Sequence, residues 1–163
     1  MSFISSRASP ESAEWMTPES WSAKGDVEQL RAAYAGFHSE VQAVLQACPE
    51  VFKWALLDRD PLPKWWEGRI VLLGDACHPM TPYMAQGAAA ALEDAAVLTR
   101  CFKQFDIDGL QQAFALYEAT RKPRASAIQT GSSNNTWLRE HTDPAWVYGY
   151  DAWTAPLADT APA

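Results

Sequence analysis

The segment RIVLLGDACHPMTPYMAQG, residues 69–87, decides the fold of this chain. Its apolar start at residues 70–73 predicts a short buried strand, which Gly74 and Asp75 bring to an end. A loop with two prolines follows, and Gly87 then opens a helix through an alanine-rich stretch. This order of strand, acid-bearing loop and helix N-terminus can present a carboxylate and several free backbone N–H groups to one ligand.

Composition and charge restrict the class of protein. The 163 residues are 48% apolar, which is enough for one domain with a hydrophobic core and too apolar for a disordered chain. The formal net charge of −7 argues against a nucleic-acid-binding surface, because such a surface needs a basic stripe. Positive charge concentrates only at residues 121–124, where the helical pattern predicts a solvated helix face.

The sequence predicts neither a membrane segment nor a signal peptide. No apolar run approaches the ~20 residues that a membrane-spanning helix requires. The N-terminal residues lack a basic flank followed by an apolar stretch. Cys48, Cys77 and Cys101 are odd in number and widely spaced, which fits reduced thiols better than a disulfide framework. We therefore expect a cytoplasmic protein with neither a membrane nor a nucleic-acid partner.

Helix and strand signals divide the chain into three parts. Residues 1–57 carry two strand candidates, at 2–7 and 51–57, and two short helices. Residues 58–133 carry the central strand, the Gly-Asp loop and two long helices. Residues 134–163 form an aromatic tail without a helical period.

Helix boundaries are predicted from caps and prolines. The expected N-terminal caps are Asp26, Ser39 and Asp108. The first of these helices is expected over residues 27–34. A long helix is expected from about Gln86 to Phe105. Pro123 should kink or interrupt the next helix along the chain.

Asp75 and the start of the long helix form the candidate ligand site. At the C-terminal edge of a strand, the Asp75 carboxylate can accept hydrogen bonds from ribose or ribityl hydroxyls. The N–H groups of Ala85, Gln86 and Gly87 lie at a helix N-terminus, where the helix dipole favours negative charge. Two plainer interpretations stay open: Asp75 only caps a turn, and the helix start is solvated and unoccupied.

Other polar pairs near this loop have simpler explanations. Adjacent Cys77 and His78 rarely share one tetrahedral metal ion, and no second His or Cys lies at ligand spacing, so no metal is expected. A Cys–His nucleophile pair is also disfavoured, because neighbours in a loop usually point apart and no residue orients the base. Glu93 and Asp94 lie about 100° apart on a helix, which favours salt bridges or capping over an acid–base pair.

The motif residues resemble the second flavin-binding motif of the FAD-dependent aromatic hydroxylases. The matching positions are Gly74-Asp75-Ala76-Cys77-His78, Pro82, Gln86-Gly87 and Glu93-Asp94-Ala95. The approach through residues 58–69 is similar to the salicylate hydroxylase branch of these flavoprotein monooxygenases. Residues 77–80, 84–89 and 148–153 are similar to the members that hydroxylate 6-hydroxynicotinate.

The resemblance implies an FAD site at this loop. Asp75 would hydrogen-bond the ribityl chain of FAD, next to Gly74, and the Pro82 segment would lie beside the isoalloxazine ring. The backbone N–H groups that would face the N1/O2 edge of the ring are those of Ala85, Gln86 and Gly87. Negative charge collects at that edge on reduction, where amides and a helix dipole stabilise it. The resemblance identifies no catalytic residue.

The implied fold is α/β: the C-terminal fragment of the FAD-binding fold of aromatic hydroxylases, with few strands and long helices. The implied activity is hydroxylation of an aromatic or hydroxypyridine carboxylate, similar to salicylate or 6-hydroxynicotinate, with NAD(P)H and O2. No Gly-x-Gly-x-x-Gly follows a strand, so the part that holds the ADP half of FAD is expected outside these residues.

These implications lead to two expectations for the chain on its own. It should lack hydroxylase activity, and its uncovered apolar faces would favour a homodimer. The alternative is a non-catalytic binding or interaction module that keeps this piece of the fold and has lost flavin. Two departures from the family pattern bear on the ring contacts, since Ala85 and Ala89 stand where many members have Gly and Asn.

Overall fold

The computed structural model describes residues 23–53, 58–105, 107–134 and 143–159. The chain divides into two compact units, Met1–Leu56 and Leu57–Ala163. The strand expected at residues 2–7 lies outside the described residues, and so does the second half of the one expected at 51–57. In the first half of that segment, Phe52 forms an isolated antiparallel bridge with Lys24.

The first unit contains two short helices, α1 (Val27–Ala33) and α2 (Ser39–Gln46). The predicted Asp26 cap is confirmed, since its carboxylate accepts the backbone N–H groups of Glu28 and Gln29. The predicted Ser39 cap is wrong. His38 holds that position and its Nδ1 accepts the N–H of Glu40.

The reason for the different cap lies in the side chain of Gln42. In a capping box this amide would reach back to the backbone of the capping residue. Instead it donates to the carbonyls of Ala35 and Phe37, at 2.9 and 2.7 Å. Ser39 therefore becomes the first helical residue.

The second unit begins with a small antiparallel hairpin, β1 (Trp66–Glu67) and β2 (Ile70–Val71), joined at Gly68 with φ +58°. The prediction of a buried strand over residues 70–73 is wrong. Ile70 is 69% exposed and Leu73 is 37% exposed, because β2 has only two residues and pairs on one side. The acid-bearing turn follows the hairpin directly.

Two long helices, α3 (Gly87–Phe102) and α4 (Leu110–Ser133), pack against each other and form the body of the second unit. The expected long helix is confirmed, with its end three residues earlier than predicted. The buried residues of this core are Trp65, Cys77, Ala96, Val97, Cys101, Ala113, Leu116, Tyr117, Ala125 and Ala152. Few strands and long helices are therefore the observed architecture.

Two details of α4 differ from the prediction. Asp108 does not cap it, because Ile107–Gly109 forms a 3-10 turn and Gly109 takes the capping position without a side-chain hydrogen bond. Pro123 does not interrupt it, since α4 continues from Leu110 to Ser133. Pro123 lies on the exposed face, where water can bond the carbonyl that the missing N–H leaves free.

The described part of the aromatic tail, residues 143–159, contains a helix that its sequence pattern does not predict. Asp143 caps a short helix, α5 (Pro144–Tyr148), which is too brief to show a helical period. Val147 is buried beside Met84 and Ile128, and Ala152 reaches the main core. Among the described residues, no helix combines the length and the apolar composition needed to cross a bilayer.

Candidate functional site

Asp75 lies in a 3-10 turn, Gly74–Ala76, that follows the hairpin, and its side chain is exposed. Its Oδ1 lies 3.8 Å from the place that a Cβ on Gly87 would occupy. Among the residues that the structure describes, none donates a hydrogen bond to this carboxylate. The structure thus places the acid beside the first residue of α3, as a ligand-binding role requires.

The N-terminus of α3 has no side-chain cap. Gln86 holds the capping position without a side-chain hydrogen bond, and the first helical bond runs from Ala90 N–H to the Gln86 carbonyl at 2.8 Å. Within the described residues, no acceptor binds the N–H groups of Gln86 and Gly87. The N–H of Ala85 is different, because it donates to the Pro82 carbonyl at 3.1 Å. Two of the three predicted donors are therefore free.

Pro82 and Ala85 define the approach to that helix. Pro82 starts a 3-10 turn that runs to Met84, and its ring is exposed. Ala85 then takes a left-handed conformation with φ +52°, which is unusual for a residue with a side chain. The turn is anchored to α4, where the Ser132 hydroxyl donates to the Thr81 carbonyl at 2.6 Å.

A buried polar cluster lies directly beneath the acid-bearing turn, with Asp94 of α3 at its centre. The Oδ2 atom of Asp94 lies 2.6 Å from His78 Nε2 and accepts the Gly74 N–H at 3.1 Å. Its Oδ1 accepts a hydrogen bond from Nε of Arg121, on α4, at 2.7 Å. The side chains of Asp94, His78 and Arg121 are all 0% exposed.

Glu93 extends this cluster towards the C-terminal tail. It pairs with Arg121 at 2.7 Å and with Arg124 at 3.0 Å. Arg124 also donates to the carbonyls of Trp146 and Val147. The expectation that Glu93 and Asp94 form salt bridges is confirmed. The expected solvated face at residues 121–124 is wrong for Arg121 and Arg124, because α4 turns both towards acids of α3.

Charge pairing decides the protonation of the cluster. Burial alone would raise the pKa of Asp94, but the hydrogen bonds from His78 and Arg121 hold it below its usual range. Burial opposes the charge of Arg121, yet the carboxylates of Asp94 and Glu93 raise its pKa. The buried His78 Nδ1 has no partner among the described residues. Because the Asp94 carboxylate is an acceptor, Nε2 is the ring nitrogen that donates in the 2.6 Å contact.

Cys77, His78 and Asp94 each bring a potential metal-ligand atom within 4.8 Å of the others. Reasoning from the sequence did not anticipate this group, because it treated Cys77 and His78 as loop neighbours without a partner from α3. The chemistry disfavours a cation here. Burial, with Asp94 nearby, raises the pKa of Cys77 to about 12, so its thiol is protonated, and the Arg121 guanidinium already binds the carboxylate.

The same burial predicts unreactive thiols at Cys77 and Cys101. Both side chains are fully buried, and burial raises the Cys101 pKa to about 11. We expect both thiols to react with a thiol-specific reagent only as fast as the chain unfolds. The check is mass-spectrometric labelling with and without denaturant. Rapid labelling of either thiol in the native chain would contradict the packing.

Comparison with known proteins identifies the family. The profile of the family described as an FAD binding domain matches residues 13–132. The 6-hydroxynicotinate 3-monooxygenase of Bordetella bronchiseptica is 55% identical over 146 residues, covering 90% of this chain and 38% of that protein. The salicylate hydroxylase of Pseudomonas putida is 35% identical over 146 residues, covering 88% of this chain and 33% of that protein.

Two solved structures of similar proteins superpose on this chain. A salicylate hydroxylase substrate complex superposes with a TM-score of 0.73 at 26% identity, covering 91% of this chain and 41% of that one. CtdE in complex with FAD and a substrate superposes with a TM-score of 0.67 at 25% identity, covering 83% and 37%. The chain thus spans between about a third and about two fifths of the length of these relatives. Because the profile covers most of its residues, this chain belongs to the FAD binding domain family, among the flavin-dependent aromatic hydroxylases.

Proposed function

We propose that this chain forms the flavin-ring-facing part of the FAD site in a hydroxylase of aromatic or hydroxypyridine carboxylates. One observation carries the proposal: the Asp75 carboxylate and the uncapped start of α3 lie side by side, with Asp75 Oδ1 at 3.8 Å from the Cβ position of Gly87. The 55% identity to a 6-hydroxynicotinate 3-monooxygenase supports a substrate of that class. We propose NAD(P)H and O2 as the co-substrates.

The residues present fit an FAD ring and ribityl chain. Asp75 is an exposed acceptor without a donor among the described residues, which suits the hydroxyls of a ribityl chain. The free N–H groups of Gln86 and Gly87 suit the electron-rich edge of the ring. Pro82 presents an exposed apolar ring, and Ala85 sets the direction of the backbone between them.

If bound, FAD would supply the redox chemistry of the hydroxylation. The contribution of this chain is electrostatic and steric. The N-terminal dipole of α3 and its free amides favour the negative charge that collects on the reduced ring. Gly87 has no Cβ and therefore leaves room for a flat ligand at the helix start.

The proposal is tested in a chimera. The matched segment of the Bordetella protein is replaced by the corresponding residues of this chain, and NAD(P)H-dependent hydroxylation of 6-hydroxynicotinate is measured. We expect activity to survive the exchange.

Asp75→Ala in this chimera should weaken FAD binding by about tenfold or more, because a charge-assisted hydrogen bond contributes about 1.5–3 kcal/mol. Asp108→Ala, at an exposed acid away from the loop, is the matched control. A chimera in which both variants bind FAD equally well would overturn the proposal.

The second candidate function is a non-catalytic interaction module. It is favoured by the exposure of two apolar side chains that a partner could cover, Leu92 (74%) and Ile70 (69%). For the chain on its own, we infer no hydroxylation and a homodimer that covers such apolar residues. Turnover by the isolated chain would contradict the first inference, and a light-scattering mass equal to one chain would contradict the second.

A further inference from the structure

We propose that Asp94 is a positioning residue: it holds the turn from Gly74 to His78 against helix α3 and thereby sets where the Asp75 carboxylate stands. The consequence for flavin rests on the proposed function, whereas the positioning itself concerns only this chain.

Asp94 binds both ends of the turn that carries Asp75. At the start of the turn it accepts the Gly74 N–H at 3.1 Å, and at its end it lies 2.6 Å from His78 Nε2. The turn is closed internally, since the Gly74 carbonyl accepts the N–H groups of Cys77 and His78 at 3.0 Å each. Asp75 therefore stands in a five-residue loop whose two ends share one carboxylate.

The backbone of Gly74 lies directly on α3. A Cβ on Gly74 would stand 3.0 Å from the Cβ of Ala91, one turn before Asp94 on the same helix. Gly74 also has φ +61°, a conformation that residues with side chains rarely adopt. The helix that offers free N–H groups at Gly87 thus also carries the anchor that fixes the acid beside them.

Arg121 holds the Asp94 carboxylate in one orientation. It donates to Oδ1 from α4, which leaves Oδ2 for Gly74 and His78. The side chains of Asp94, His78 and Arg121 are fully buried. Burying charged groups costs desolvation free energy, which a hydrophobic core would not require. Within this cluster, the backbone N–H that the Asp94 carboxylate accepts is that of Gly74, the residue before Asp75.

The experiment measures backbone amide hydrogen exchange in the 163-residue chain by NMR, without flavin. In Asp94→Ala, the Gly74 amide should exchange at least about tenfold faster relative to the Val97 amide in the α3 core. Asp94→Asn keeps an oxygen that can accept the Gly74 N–H and should restore most of the protection. Glu93→Ala is the matched control, because Glu93 shares Arg121 with Asp94 but does not touch the turn. It should leave the Gly74 to Val97 ratio unchanged.

The outcomes distinguish local positioning of the turn by Asp94 from a general contribution of Asp94 to the stability of the chain. If the Gly74 and Val97 amides accelerate together in Asp94→Ala, or if Glu93→Ala changes their ratio equally, the inference is overturned. Should Asp94→Ala fail to fold, Asp94→Asn decides through the Gly74 amide proton resonance. Loss of the negative acceptor should move that resonance upfield while the Val97 resonance stays, and an unchanged Gly74 resonance would overturn the inference.

A flavin titration distinguishes the two proposals. If the native chain binds FAD, folded Asp94→Ala should weaken binding about as much as Asp75→Ala does, and unchanged affinity would overturn the role of Asp94 toward flavin. If the native chain binds no FAD while the Gly74 amide still depends on Asp94, the positioning is supported and the proposed function of this loop is overturned.

Discussion

Replacing Arg121 with alanine is expected to lower the free energy of unfolding by about 3–5 kcal/mol, the cost of breaking a buried ion pair from one side. Asp94 and Glu93 would lose a shared partner at 2.7 Å, and Asp94 would remain 0% exposed with its charge supported only by His78 and a backbone amide. Chemical denaturation followed by far-UV circular dichroism measures the change.

The matched control for that variant is Arg69→Ala. Arg69 is exposed, so its replacement should change the unfolding free energy by no more than about 0.5 kcal/mol. Equal effects at Arg69 and Arg121 would show that the buried cluster does not support the packing of α3 on α4. A second variant, Arg121→Lys, should recover only part of the stability, because an ammonium cannot reproduce the fork of the guanidinium.

Replacing Trp65 with alanine is expected to cost about 3–5 kcal/mol of unfolding free energy through lost burial and the cavity left behind. Trp65 is 1% exposed and packs between the rings of His78 and Tyr117, with ring centroids 5.4 and 5.7 Å away. Its backbone N–H also donates to Glu118 of α4 at 2.7 Å, so the hairpin joins the core at this residue.

The neighbouring Trp66 offers a control of the same size. It is only partly buried and contacts Phe114 at a centroid distance of 6.3 Å. Trp66→Ala should therefore cost clearly less than Trp65→Ala in the same denaturation experiment. A larger loss at Trp66 would mean that Trp65 does not carry the contact between the hairpin and the helices.

Local signals in the sequence were enough to predict the elements that form locally. The Asp26 cap depends on N–H groups two and three residues ahead, and the long helix from Gln86 depends on an alanine-rich run. The order of acid-bearing turn, loop and helix N-terminus indicated that Asp75 and Gly87 can lie side by side, and the structure has them so. The family itself was recognised from residues 74–95, and the profile match confirms it.

The burial of a side chain could not be predicted from the sequence where it depends on residues far away along the chain. The residues around Arg121 in the sequence predict an exposed side chain. Its two acidic partners lie 27 and 28 positions earlier, on another helix, so the local pattern does not reveal them. The one available signal was Asp94 itself, an acid on the apolar face of α3 between Ala90 and Val97. A charge in such a stripe requires a buried partner. Ile70 is the opposite case: its apolar run predicts a buried strand, but the run does not reveal that the strand has only two residues and leaves Ile70 exposed.

The loop from Gly74 to Gly87 is proposed to bind a flavin through Asp75. The most direct test is a titration of the isolated chain with FAD, followed by the visible absorption bands of the flavin, for the native chain and for Asp75→Ala. Without the residues expected to hold the ADP half of FAD, we predict saturable binding that is weak enough to be lost on dialysis. Asp75→Ala should weaken it by about tenfold or more. No binding by the native chain, or equal binding by both, would contradict the account.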